Sequence, residues 1–189
     1  MSLLSKFAAA AVATLSLGSS AALAFPIAAP GSEGFSVVVG STGSVTATYQ
    51  GNSATYSNDL YLVLPGDDLF IFNNHASPVG SSVDLGTFAA GTELVFRLYV
   101  NNTGNEFYTG PAARNADGNP HARVQSDWQP GETLVSFEDL FNGPFDYNDL
   151  SFSFTNTTAE PAPPAVPVPA AGLLLAGGLG VMALRRKRG

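Results

Sequence analysis

The chain of 189 residues contains no cysteine. Thiol catalysis, disulfide exchange, zinc–thiolate sites and disulfide reinforcement are therefore excluded together. Basic residues are scarce where they would matter. Lys6 and the run Arg185-Arg186-Lys187-Arg188 lie at the chain ends, which leaves only Arg97, Arg114 and Arg123 for everything between. All fifteen acidic residues fall in residues 25–169, so three positive charges face fifteen negative ones there, a net −12 against −7 for the whole chain. Such a field repels nucleic acid, phosphate-bearing ligands and anionic lipid, and it accumulates cations. Helical periodicity is missing outside the two ends. Also absent are Ser-His-Asp spacing, a glycine-rich phosphate loop and an HExxH pair.

What is present begins at the ends. Residues 1–24 carry one early lysine, Lys6, then an apolar run, then Ala22-Leu23-Ala24. That order predicts a secretory signal helix with cleavage before Phe25. At the other end "AEPAPPAVPVPAAG" holds five prolines, which remove backbone donors and favour a stiff extended spacer over residues 157–169. Residues 170–184 are apolar or glycine, shorter than the roughly 20 residues a bilayer core needs, and residues 185–189 form a basic tail on the cytoplasmic side. An ordinary tail anchor accounts for these features. The stretch "VPVPAAGLLLAGGLGVMALRRKRG" also resembles the PEP-CTERM class of sorting signals, in its VPLPA variant, with Val168 where leucine is usual. The resemblance implies an exported protein of a Gram-negative bacterial envelope. It also implies an exosortase-type processing enzyme as partner, and attachment to the inner membrane before processing.

Between the ends, apolar and polar residues alternate with period two. "GSVTATYQG", "NDLYLVLPGDD", "DLFIFNN", "ELVFRLYVNN", "HARVQS", "TLVSFED" and "LSFSFTN" read as strands bounded by Gly, Asn, Asp and Pro. In "LSFSF", Leu150, Phe152 and Phe154 share one face and serines the other. Eight to ten such strands predict an all-β fold, an antiparallel β-sandwich of jelly-roll type over residues 25–156. A barrel is the alternative. Asp67-Asp68 after Pro65-Gly66 reads as turn chemistry, with a minor cation site as the other option.

One stretch concentrates the charge. "FEDLFNGPFDYNDLSFSF" places Glu138, Asp139, Asp146 and Asp149 at the two ends of one strand connection, with no basic residue between Arg123 and Arg185. Two carboxylates about 4 Å apart repel by roughly 4 kcal/mol at an effective dielectric near 20. Bound Ca2+ would offset this, because it accepts six to eight oxygen ligands in flexible geometry, and Mg2+ ranks second. Solvated turn acids are the alternative. The aromatic residues at 137, 141, 145, 147, 152 and 154 favour the metal by drawing the acids towards a packed layer.

Together with "FYTGPAARNADGNPHARV", this stretch is similar to the domain of unknown function 4114 over residues 91–155. The resemblance implies a β-rich, calcium-binding module of exported bacterial proteins without an assigned activity. It carries over Glu138, Asp139, Asp146, Asn148 and Asp149 as metal ligands, with Asn115 and Asp117 as further candidates. The chain departs from the pattern at Pro144, where an aspartate is usual, and at Ala116, where proline is common. His121 reads as architectural, tying its loop to the acidic strand.

Three functions compete on this basis. The first is a calcium-stabilised surface or extracellular-matrix module. The second is a calcium-dependent, lectin-like module that holds extracellular polysaccharide on Trp128, Tyr108 or Tyr147. The third, a glycosidase, is disfavoured because Glu138 and Asp139, as neighbours on a strand, would point to opposite faces.

Overall fold

A computed structural model of the chain describes residues 24–161. Within them the alternating stretches form twelve strands: β1 Ser36–Val39, β2 Gly43–Asn52, β3 Asn58–Leu62, β4 Leu69–Asn73, β5 Ser82–Phe88, β6 Glu93–Leu94, β7 Phe96–Val100, β8 Asn105–Tyr108, β9 Ala122–Gln129, β10 Glu132–Phe137, β11 Leu150–Thr155 and β12 Thr157–Glu160. The number exceeds the eight to ten expected, because short strands such as β6 and β12 hold too few residues for alternation to show. The signal helix expected over 1–24 lies outside the described residues save for residue 24. The hydrophobic helix over 170–184 and the tail over 185–189 lie wholly outside them. Among the described residues no helix is long and apolar enough to cross a membrane.

The strands build three antiparallel sheets: a five-stranded sheet in the order β5-β2-β11-β10-β9, a four-stranded sheet β4-β3-β7-β8, and a three-stranded sheet β12-β1-β6. Their inner faces close on one core, the arrangement of a β-sandwich. Phenylalanines join the two larger sheets. Phe96 of β7 stacks on Phe154 of β11 with ring centroids 4.0 Å apart, while Phe72 of β4 stacks on Phe152 at 6.0 Å and Tyr49 of β2 leans on both Phe72 and Phe152. Buried aromatic rings of this size supply much of the apolar area that holds a cysteine-free domain together.

The serine face of β11 is buried as well. Ser151 and Ser153, with Ser136 of β10, form a polar layer satisfied by hydrogen bonds: Ser136 Oγ to Ser151 Oγ at 2.8 Å and Gln50 Nε2 to Ser153 Oγ at 2.9 Å. The segment before β1 covers part of it, since the Ala28 amide donates to Ser136 Oγ at 2.8 Å and the Ala29 amide to Gln125 Oε1 at 2.9 Å. Gly51, at φ +135°, leaves room for this passage, because a Cβ there would come within 2.6 Å of Phe25 Cβ.

One boundary is corrected. The globular part was expected to end at 156, yet Thr157–Glu160 pair with β1, Thr157 opposite Val39 and Glu160 opposite Ser36. The prolines that stop a strand begin only at 161, so nothing prevents residues 157–160 from joining a sheet.

Candidate metal centre

β10 and β11 are neighbours with Phe137 opposite Leu150. Continuing that register one step brings residue 138 beside residue 149, and the connection between them makes the loop that carries the acids. Strand geometry ends at Phe137, so the alternation expected to separate Glu138 from Asp139 does not operate. Instead Glu138, Asp139 and Asp149 each bring a carboxylate oxygen within 4.8 Å of the others. Glu138 is 1% exposed, Asp139 3% and Asp149 half-buried. This cluster could hold a metal ion.

The loop backbone is bent to serve the cluster. Tyr147 takes a left-handed conformation, φ 57°, which costs an aromatic residue roughly 1 kcal/mol or more. Packing holds it there: the ring is buried, its hydroxyl donates to the Pro120 carbonyl at 2.8 Å, and the Arg123 guanidinium lies 4.2 Å above it. As a result the amides of Asp146 and Tyr147 face Glu138 Oε2 at 3.3 and 3.4 Å, and the Leu140 amide donates to Oε1 at 3.2 Å. Asp149 Oδ2 accepts from the Asp139 amide at 2.8 Å. A cleft of about 370 Å³, lined by Ser53, Thr55, Tyr56, Asp139, Leu140 and Asp149, opens from the cluster to solvent.

Amide donors do not neutralise the cluster. Burial, then the nearby Asp149 carboxylate, pushes Glu138 up to about 8. Burial raises Asp139 to about 6, against the lowering effect of its hydrogen bond from Asn58 and with Asp149 adding to the rise. Every arginine of the described residues is engaged elsewhere: Arg97 with Asp68 and Glu106, Arg114 with Glu93, Arg123 with Glu33. Asp68 is thereby an ion-pair partner as well as a turn residue.

Of the seven candidate ligands, Glu138, Asp139 and Asp149 come together. Asp146 is exposed and accepts from Asn148 Nδ2 at 2.7 Å, while Asn148 Oδ1 accepts from Ser53 Oγ at 2.9 Å. Asn115 is committed to its own loop, accepting from the Tyr108 amide and donating to the Asn119 carbonyl, both at 2.8 Å. Asp117 Oδ2 pairs with His121 Nε2 at 2.8 Å and accepts from the Asn142 amide at 3.0 Å, and these bonds hold its carboxyl well below the usual range in spite of its burial. The fully buried His121 stacks on Phe107 at 3.7 Å, and its Nδ1 lies 3.0 Å from the Glu138 carbonyl. It ties the second motif to the acidic one, as its place in the sequence suggested.

Sequence reasoning missed Asn58. This residue is fully buried at the start of β3, and its Nδ2 donates to Asp139 Oδ2 at 2.8 Å. Its Oδ1 is the buried side-chain atom that finds no partner among the described residues. An orphaned buried oxygen costs about 1–3 kcal/mol, and on a residue that donates to one of the three clustered carboxylates it fits a site built for an oxygen-seeking cation. The only signal in sequence was an Asn-Asp pair opening a strand, which is also ordinary turn chemistry. Of the aromatic residues offered as platforms, Tyr147 is buried, which removes it, while Trp128 sits half-buried within β9. Comparison with known protein families, with curated proteins and with solved structures returns no match for the chain.

Proposed function

We propose that this chain is an exported, non-catalytic module of a bacterial cell surface or extracellular matrix, a jelly-roll-like sandwich stabilised by Ca2+ at Glu138, Asp139 and Asp149. The observation that carries the metal assignment is the meeting of three carboxylates within 4.8 Å, two of them almost fully buried, with every described arginine paired elsewhere. A divalent cation offsets that repulsion without a basic side chain. Calcium suits the site better than magnesium because the donors are carboxylates and amide oxygens on an irregular loop, which tolerates six to eight ligands more readily than a strict octahedron. Asn58 and the loop carbonyls would complete the shell.

An enzymatic role is disfavoured on new grounds. The carboxylates are close together, but Glu138 and Asp139 are buried, and Asp149 accepts directly from the Asp139 amide. A glycosidase pair must flank a bond of its substrate with both carboxyls open to it, and Glu138 and Asp139 are almost fully buried. Export and sorting are carried by the sequence of the two ends. The signal-like residues 1–24 and the PEP-CTERM-like tail support delivery to the inner membrane and processing by an exosortase-type enzyme. The similarity to the domain of unknown function 4114 supports the calcium assignment.

Terbium tests the site directly, because Tyr56 lines the cleft beside Asp139 and Asp149 and can sensitise a bound lanthanide. Luminescence excited through tyrosine and displaced by millimolar Ca2+ is expected for the full chain and lost in Asp149→Ala. Terbium emission absent at every concentration, or unaffected by calcium, would overturn the proposal.

A further inference from the structure

The outer face of the four-stranded sheet presents a row of side chains that the core does not use. Strand pairing sets Tyr61 opposite Phe70 on one side and opposite Arg97 on the other, and Arg97 opposite Tyr108. Phe70, Tyr61, Arg97 and Tyr108 therefore stand in one line across β4, β3, β7 and β8, spanning three strand spacings, roughly 14 Å. A second line, Asp59, Tyr99 and Glu106, runs beside it. The residues between them, Leu60, Leu98 and Phe107, face the core.

This row is held in place before any ligand arrives. The Arg97 guanidinium lies 4.4 Å over the Tyr61 ring, and Phe70 meets Tyr61 edge-on at 5.6 Å. Arg97 is fixed by Asp68 at 2.8 Å and Glu106 at 2.9 Å, and the Tyr108 hydroxyl donates to the other oxygen of Glu106 at 2.8 Å. Burial, then Glu106, pushes Tyr108 up to about 12, so it remains a donor. Phe70 nevertheless leaves 50% of its surface in water. Beyond Tyr108 the row runs into a cleft of about 390 Å³, lined by Glu106, Tyr108, Asn105, Arg114 and Asn115 among others.

We infer that this face binds a neutral polysaccharide, laid across the sheet from Phe70 to Tyr108 with one end in the cleft. Aromatic faces carry negative charge density and attract the weakly positive C–H faces of sugar rings, and planar carboxylate, amide and guanidinium groups beside them match ring hydroxyls. Rigid tyrosines contribute contact area at little entropic cost. The charge decides among polymers. The one cation of the row is already held by two carboxylates in a domain of net charge −12, so an anionic polysaccharide or nucleic acid would be repelled. The inference extends the proposed surface role by naming a ligand, but its chemistry lies on a different sheet from the calcium site.

The test is affinity electrophoresis and isothermal titration of the full chain, purified in mild detergent, against amorphous cellulose fragments, β-1,3-glucan, galactomannan and dextran, with alginate as the polyanion. Binding to at least one neutral polymer is expected, weakened about tenfold or more by Phe70→Ala and by Tyr108→Ala with unchanged melting temperature. Phe141→Ser, which removes an exposed phenylalanine from the acidic loop, should leave binding unchanged and so excludes general stickiness. EDTA should leave binding unchanged, which separates failure here from failure of the calcium assignment. No binding to any neutral polymer at millimolar saccharide, binding to alginate alone, or binding indifferent to both Phe70→Ala and Tyr108→Ala would overturn the inference.

Discussion

Millimolar calcium added to the metal-free chain at pH 8 is expected to raise its melting temperature, and by more than at pH 5. The magnitude follows from the cluster. Carboxylate oxygens within 4.8 Å repel, when ionised, by about 3 kcal/mol or more per pair at an effective dielectric near 20. Holding Glu138 ionised above its raised value of about 8, against an ordinary 4.5, costs roughly 5 kcal/mol. Because the folded state holds these protons more tightly than the unfolded chain does, the metal-free protein loses stability as pH rises from about 4.5 towards about 8. Calcium replaces the protons. At tenfold above a dissociation constant of about 0.5 mM it adds roughly 1.4 kcal/mol, or about 5 °C for a domain of this size. At pH 5 it must first displace protons, so the gain shrinks. Differential scanning calorimetry with EDTA and with 5 mM CaCl2 at both pH values measures this, and equal midpoints at pH 8, or a larger calcium effect at pH 5, would refute the reasoning.

Asp149→Asn should act with opposite signs in the two states. It removes one charge while keeping an oxygen for the Asp139 amide, so the metal-free chain should gain about 1–2 kcal/mol at pH 8 and the calcium increment should vanish in the same calorimetry. His121→Ala removes the stack on Phe107 and leaves the Asp117 carboxylate buried without its partner, a loss of about 3–5 kcal/mol measurable by urea unfolding. Asp117 also sets the acid limb. Its carboxyl titrates well below the ordinary 3.8, so its contribution is fully present above that value and is lost progressively below it, as pH falls towards the lowered folded-state value. The metal-free chain should therefore be most stable at about pH 4, where Asp117 is ionised and the Glu138 and Asp139 protons are still held, and a midpoint that keeps rising well below pH 4 would contradict the assignment.

The strands were legible because burial of one face writes itself into the sequence as alternation: Leu150, Phe152 and Phe154 point into the core as their spacing required. The serine face of the same strand was not legible in this way. Its burial depends on the segment around Ala28 lying over it, and a serine that hydrogen-bonds to a neighbour looks in sequence like one that meets water. Local rules likewise set Glu138 and Asp139 on opposite faces. The strand stops one residue earlier, so both turn to the same place.

Charge was determined by sequence alone. Fifteen acids stand against three arginines between the two ends, and four of the acids share one aromatic loop, whatever the fold. Which of those acids come together was decided only by tertiary structure. The pairing of Phe137 with Leu150 brings Glu138 alongside Asp149, whereas the left-handed turn at Tyr147 leaves Asp146 in solvent. Asn58, 81 residues from Asp139 in sequence, reaches the cluster because the four-stranded sheet closes over the five-stranded one. Sequence spacing governs contacts within a strand or a turn, but contacts between sheets follow from how two buried faces fit together.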